Sequence, residues 1–329
     1  MLSMENSFYK NKRVLVAGAT GTIGIPLTRQ LVERGAKVTG VSNHSVEYAK
    51  TVLNPTINFI SADLLDPKVC AEIVAGEDFV INLVGIKGSV GIGETKVASY
   101  LVPMLRFQTN LMEAAFNEGI KRFLFVGSVC SYPQNDIHFE DNMWNGMPKQ
   151  NDRIPGIAKR VGELLGEAYF LEHEWDAVRI VRPANVYGPF DDFNPQTAQV
   201  IPALIARIVS GEDPLSVWGD GSVERDFIFS EDVAFWMLEA LEKAPTCLPI
   251  NLGSGSVVTI REIVDTLISI IRPSTNVEWD TSKPSGDKKR LLSMDRAKKE
   301  IDFFARTPLR DGLEKTVEWY LNNIKLENK

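Results

Sequence analysis

Cysteine and histidine are scarce: Cys70, Cys130 and Cys247, with His44, His138 and His173, are spread through 329 residues. An odd number of cysteines without a CxxC pair suggests no disulfide framework, and the scattered histidines suggest no zinc knuckle, so no metal is expected. No apolar run approaches the roughly 20 residues that a membrane span requires. The opening MLSMENSFYKNKR is too polar for a secretory signal. Blocks of lysine and arginine are missing as well. With 36 basic against 43 acidic residues the formal charge is −7, which argues against nucleic-acid binding. The expectation is a cytoplasmic protein of ordinary hydrophobic content, 44%, long enough to bury a large core.

Short apolar runs at 13–17, 37–41, 58–61, 79–84, 122–126 and 177–181 alternate with stretches of helical length and spacing at 25–34, 67–75, 99–117 and 157–173. Strands alternating with helices build βαβ units, and these form a parallel sheet covered on both faces. The fold class is therefore α/β, a doubly wound parallel sheet of the Rossmann type with a smaller C-terminal lobe. After Pro183 the rhythm changes to loops rich in Pro, Gly and Asp (NVYGPFDDFNPQ, VWGDGS) and helices at 198–210 and 231–243. The expected division assigns 1–182 to the first domain, with 225–252 returning to it, and 183–224 plus 253–329 to the second lobe. No repeat or flexible tether separates them.

VLVAGATGTIG, residues 14–24, is a strand entering a glycine-rich turn and then a helix. The spacing Gly18-x-x-Gly21-x-x-Gly24 departs slightly from GxGxxG but serves the same physics. One glycine makes the tight turn, another admits a pyrophosphate to the backbone amides, and the third lets helix and strand pack closely. The helix N-terminus then faces the anion. Dinucleotide binding is expected over Gly18, Thr20, Gly21, Thr22, Ile23 and Gly24, with Leu64 and Val84 as further contacts. An acid at the end of the second strand would hold the ribose 2′-hydroxyl of NAD. That strand runs VTGVSNHS, placing Ser42, Asn43 and His44 there. The missing acid favours NADP, the lack of an arginine leaves NAD open. Asp63 is either an adenine contact or a turn carboxylate.

Further short motifs follow in order: GSVCSYP (127–133), AKR (158–160), RPANVYGPFDDFNP (182–195), VIPAL (200–204), VWGDGSVERDF (217–227), INLGSG (250–255) and TSKPSGDKKRLL (281–292). With GATGTIG they make the chain resemble, over nearly its whole length, the extended short-chain dehydrogenase/reductase family of nucleotide-sugar enzymes, the NAD-dependent epimerase/dehydratase family. Within it the GDP-sugar branch is the most similar.

That resemblance implies a Ser or Thr, a Tyr and a Lys four residues after the Tyr, which manage a proton at a sugar hydroxyl while hydride moves to or from the nicotinamide. The lysine lowers the phenol's pKa and holds the nicotinamide ribose. A phenol needs that help because its unperturbed pKa of about 10 makes it a poor base at neutral pH. Ser128 matches the serine and Lys159 the lysine, but RIPGIAK puts Pro155 at the tyrosine position. Members of the branch also exchange protons with a cysteine and a histidine. Cys130 matches the first, although a cysteine is as often a small buried hydrophobe. The second is replaced by Gln199, whose amide carries no such proton.

On the substrate side the resemblance places Asn185 and Arg225 at the sugar-nucleotide phosphates, where a guanidinium gives charge-assisted bidentate bonds. Arg225 could instead pair with Asp226 or Asp232. Gln199, Val200, Arg207, Trp218 and Arg290 are matched to the same nucleotide-sugar site, and the lobe of 183–224 and 253–329 is expected to hold it. A homodimer is implied, through a four-helix bundle of 99–117 and 157–173, whose Leu101, Met104, Leu105, Leu111 and Met112 exceed one sheet contact. Two readings compete. The first is an epimerase or reductase acting on a nucleotide-diphosphate sugar, GDP-linked by preference, in which neutral Lys159, a substrate hydroxyl or water replaces the phenol. The second is a dinucleotide- and nucleotide-sugar-binding protein that has lost its chemistry. Tyr100 and Tyr132 are stand-ins that sequence cannot place.

Overall fold

Seven parallel strands lie in the order Pro249–Leu252, Val178–Pro183, Arg122–Val126, Phe79–Asn82, Arg13–Ala17, Lys37–Ser42 and Asn58–Ser61. The computed structural model from which this is read describes residues 8–86, 97–283 and 286–327. The central strands RVLVA, FVIN, RFLFV and VRIVRP are buried on both faces, as near-continuous apolar runs of a covered parallel sheet should be. The chain leaves strand Arg13–Ala17 toward one edge, through Lys37–Ser42 and Asn58–Ser61. It then crosses to Phe79–Asn82 and builds toward the other edge. Val14 therefore pairs with both Val38 and Phe79. The strand order reverses between Arg13–Ala17 and Phe79–Asn82, and doubly wound sheets form a crevice outside the carboxyl ends of the strands at such a reversal. This is where doubly wound sheets bind ligands.

One core packs Val14, Val16, Leu27, Leu31, Ile81 and Leu124 against helix Ser230–Lys243 through Val233, Met237 and Leu241. The opposite face packs Leu15, Val80, Phe123, Phe125 and Ile180 against helices Pro67–Val74, Val97–Glu118 and Arg153–His173. A third core, built on Ile201, Leu204, Ile205, Leu215, Ile263, Val264 and Leu313, belongs to the later part of the chain. Its neighbour is a four-stranded sheet in the order Val258–Thr259, Glu224–Arg225, Lys289–Leu292 and Ile137–His138. Strand Ile137–His138 thus joins a sheet whose other members all follow residue 223.

Three local readings of the sequence change. Helix Arg153–His173 begins four residues before the expected start and takes in Pro155 and Gly156. Proline is tolerated there because first-turn amides have no acceptor within the helix. A short helix, Val46–Val52, follows the second strand, capped by Ser45, which accepts from the Tyr48 amide. The apolar residues assigned to a helix-bundle surface mostly face the sheet: Met104, Leu111 and Met112 are buried, and Leu101 and Leu105 pack against that core. The exposed apolar side chains on these two helices are Val102, Val161, Leu164, Phe170 and Leu171, with Val97 at the start.

Candidate active site

The glycine turn is held by the strand beside it. The Gly18 and Ala19 amides donate to the Val41 carbonyl, at 2.7 and 3.1 Å, and the Gly21 amide donates to the Gly18 carbonyl. Gly18 has φ +86°, a left-handed conformation that favours glycine. A β-carbon at Gly24 would lie 2.1 Å from the Gly18 carbonyl oxygen. The third glycine therefore exists for close packing of helix Gly24–Glu33 on the turn, and the helix N-terminus opens on the crevice. This cradle fits a dinucleotide pyrophosphate, whose negative charge the N-terminal amides and dipole favour. The Thr22 hydroxyl points across the crevice to the Phe190 carbonyl and Asp191.

At the end of the second strand, buried Thr20 lies 2.9 Å from the Ser42 hydroxyl and 2.7 Å from His44 Nδ1. Ser42 also accepts from the His44 amide. Thr20, Ser42 and His44 are thus one hydrogen-bonded group beside the glycine turn, and Asn43 between the last two is exposed. Asp63 is exposed and caps its own turn by accepting from the Leu65 amide. Leu64 is buried, with its carbonyl bound by Asn110.

Ser128 and Cys130 lie at the turn Val129–Ser131, and Lys159 lies on helix Arg153–His173, which packs against that turn. Ser128 ends strand Arg122–Val126 and caps a single 3₁₀ turn, its hydroxyl accepting from the Cys130 amide at 3.1 Å. Helix Arg153–His173 lies unusually close because glycines face the sheet. A β-carbon at Gly156 would sit 2.3 Å from the Cys130 carbonyl oxygen, and one at Gly162 would sit 2.1 Å from the Phe125 ring. Below them a buried pair locks the arrangement. Arg182 donates to both Glu163 carboxylate oxygens, at 2.9 and 2.6 Å, and also to the Tyr132 hydroxyl and the Glu140 carbonyl.

Lys159 is buried, donates to the Val84 carbonyl at 3.3 Å and lies 5.5 Å from the Phe125 ring centroid. Burial disfavours its charge and brings its pKa down to about 8. Pro155 stands one helical turn before it with no proton to exchange. Tyr132 does not replace the missing phenol: its hydroxyl accepts from Arg182 and donates to Asn251 Oδ1 at 2.6 Å within the core. Tyr100 is half-buried and donates to the Ile86 carbonyl, and burial pushes its hydroxyl up to about 12, too high to stand in as a base.

The substrate-side residues separate into two sets. Arg225, Arg290 and Asn185 belong to one wall. Arg225 donates to the Asp287 carbonyl at 2.7 Å, and neither Asp226 nor Asp232 is its ion-pair partner; Asp226 is held by Ser254 and Asp232 by Thr307. Arg290 bridges Asp152 at 2.7 Å and Asp287 at 2.9 Å, and Lys149 also reaches Asp287. The Asn185 side chain donates to the Asp226 carbonyl. In the other set, Arg207 is clamped by Glu212 and the Ser216 carbonyl, while Trp218 is 63% exposed and Gln199 is exposed at the start of helix Val200–Val209. Val200 packs against the third core. Sequence reading missed Asp152, Asp287 and Lys149, since no local pattern marks residues that meet only across elements. Among the described residues there is no group of three or more His, Cys, Asp or Glu that could hold a metal ion, and no helix long and apolar enough to cross a membrane.

The model of the NAD dependent epimerase/dehydratase family matches residues 14–253. The chain is 31% identical to GDP-L-fucose synthase 1 of Arabidopsis thaliana over 322 residues, 96% of this chain and 95% of that protein. It is 29% identical to GDP-L-fucose synthase of Escherichia coli (strain K12), covering 95% of this chain and 97% of that one. The solved structure of UDP-glucose 4-epimerase from Thermotoga maritima with UDP-glucose superposes with a TM-score of 0.82 at 26% identity. That match covers 95% of this chain and 99% of the other.

Proposed function

The chain belongs to the NAD dependent epimerase/dehydratase family, and on that premise we propose that it moves hydride between a nicotinamide dinucleotide and a ring carbon of a GDP-linked sugar, without the usual phenol. What supports this reading is that Lys159 reaches the Val84 carbonyl beside Leu83, on which Gly18 packs, while the turn that Ser128 caps packs on the helix carrying Lys159 and Arg290 pairs with Asp152 at the start of that helix. The bound dinucleotide supplies or accepts the hydride. The turn at 18–24 holds its pyrophosphate, Thr20, Ser42 and His44 take its adenosine ribose with NADP preferred, and Lys159 holds its nicotinamide ribose. Ser128 orients the reacting oxygen. Arg225 binds sugar-nucleotide phosphate, and residues 183–224 with 253–329 form the lobe that closes over the sugar.

The same helices that frame the site support a homodimer. Val102, Leu164 and Leu171, exposed by 50, 45 and 73%, would be covered by a second copy. Pro155 and the exposed Gln199 favour the second reading, a binder without turnover. Nicotinamide absorbance, followed over GDP-, UDP-, CDP- and dTDP-linked keto sugars, separates the two. Turnover selects the enzyme and saturable binding without turnover selects the binder. No binding of NAD(H) or NADP(H) at millimolar levels refutes both.

A further inference from the structure

Three cations meet at one short segment of the chain. Arg225 lies on strand Glu224–Arg225, Arg290 on strand Lys289–Leu292, and Lys149 just before the 3₁₀ turn Gln150–Asp152. The two arginines are register partners in adjacent parallel strands, so their side chains leave the sheet on the same face. Asp287 touches all three cations. Its backbone carbonyl accepts from Arg225 Nη1 at 2.7 Å, its Oδ2 accepts from Arg290 Nη2 at 2.9 Å, and its Oδ1 lies 2.8 Å from Lys149 Nζ. Gly286, immediately before it, has φ +83°, and a β-carbon there would lie 3.0 Å from Arg225 Nη2 and 4.0 Å from Lys149 Nζ. The backbone approaches the cations because this residue has no side chain. Asp287 is buried, while Lys149, Arg225 and Arg290 are each partly open to solvent.

We propose that Lys149, Arg225 and Arg290 act as one three-cation site for the diphosphate of the nucleotide sugar, and that Asp287 is the positioning residue that holds them together. The inference rests on the nucleotide-sugar reading above and adds Lys149 and Asp287, which no motif in the sequence marks. Like charges this close repel one another unless an anion lies among them, and the buried Asp287 carboxylate is that anion. It leaves most of their donors uncommitted. Arg225 is tied through Nη1, to the Glu224 and Asp287 carbonyls, and Arg290 through Nη2, to Asp287 and Asp152. Among the described residues the other guanidinium nitrogens of both make no hydrogen bond. Those nitrogens can give phosphate oxygens charge-assisted bonds. The Lys149 ammonium has three donors and one carboxylate partner, and adds a point charge. Asp152 and Asp287 offset two of the three cations, so these five groups keep one positive charge with which to attract an anion.

The test uses the full-length chain and calorimetric titration with GDP and GMP, which differ only in the second phosphate. NADPH serves as the control that each variant is folded. Lys149→Met is expected to weaken GDP about tenfold, the loss of one charge-assisted contact, and GMP much less, so that the ratio of the two affinities falls. A general loss of structure would weaken both alike. Asp287→Asn is expected to weaken GDP about tenfold as well. Coulomb attraction alone predicts the opposite, since removing a negative charge favours an anion, so the sign of the change separates positioning from bare charge. NADPH affinity is expected to stay the same in both variants. If Asp287→Asn does not fold, Lys149→Met still decides, because that side chain is 24% exposed. Tighter GDP binding in Asp287→Asn, or an unchanged GDP-to-GMP ratio in Lys149→Met, overturns the proposal and leaves the nucleotide-sugar reading standing. A wild type that binds none of GDP, UDP, CDP and dTDP overturns both together.

Discussion

The two walls of the crevice are built differently. The glycine-turn wall is mostly backbone: amides bonded to Val41, a left-handed Gly18, and a helix that approaches because Gly24 has no side chain. Its parts are neighbours in the chain. The opposite wall is made of side chains from four elements: Ser128 and Cys130 from one turn, Asp152 and Lys159 from one helix, and Arg225 and Arg290 from two strands, with the buried Arg182–Glu163 pair beneath. A backbone cradle constrains which residues can occupy it. If the chain is the enzyme proposed above, the wall of side chains has lost one member, at Pro155, and redistributes its work among the others.

The largest expected effect tests that redistribution. Lys159→Ala should cut hydride transfer by about 100- to 10,000-fold, with dinucleotide affinity weakened in the same titration. Unaltered turnover would remove Lys159 from the site. Next comes the support beneath the side-chain wall. Glu163→Gln leaves Arg182 charged and buried without its anion, which should cost about 3–5 kcal/mol. Urea denaturation would measure it, and a loss below about 1 kcal/mol would show that the wall does not depend on this pair.

Lys159 itself should show a conflict between stability and function. Its pKa is lowered from 10.5 to about 8 in the folded chain, so below about 8 folding bears the cost of burying the cation. Between about 8 and 10.5 the unfolded chain binds the extra proton, and stability from this group rises with pH. Lys159→Met should therefore be more stable than wild type at neutral pH, by an amount on the order of 3 kcal/mol. That advantage should shrink as pH climbs through this window. A constant difference across pH would assign the lysine an ordinary pKa.

The smallest effect concerns the backbone wall. Ser42→Asp supplies the acid that the second strand lacks, and should shift preference from NADPH toward NADH by about tenfold, the equivalent of about 1.4 kcal/mol. Equal affinities before and after would separate Ser42 from the ribose.

The strands at 13–17 and 122–126 could be read to the residue, because buried central strands are continuous apolar runs, as could the half-buried edge strand at 58–61, and the glycine turn is a local pattern. The strand Ile137–His138 could not be read this way. Its two residues carry no periodicity, and its partner Lys289–Leu292 is distant in sequence. Asp152 was equally hidden. An aspartate before a helix looks like a cap, and only the tertiary structure shows its carboxylate turned toward Arg290. Arg207 matched a nucleotide-site motif, yet five residues on Glu212 holds it in an ion pair, which no motif encodes.

The most direct test is Pro155→Tyr, assayed beside the wild type by nicotinamide absorbance with a GDP-linked keto sugar. Proline in the first turn gives up no intrahelical bond, so the exchange should leave the fold intact. If proton transfer runs through the remaining side chains, the wild type turns over and the added phenol brings no gain. A silent wild type, together with a gain of about 100-fold or more on restoring the tyrosine, would contradict the account and identify a reductase that has lost its acid.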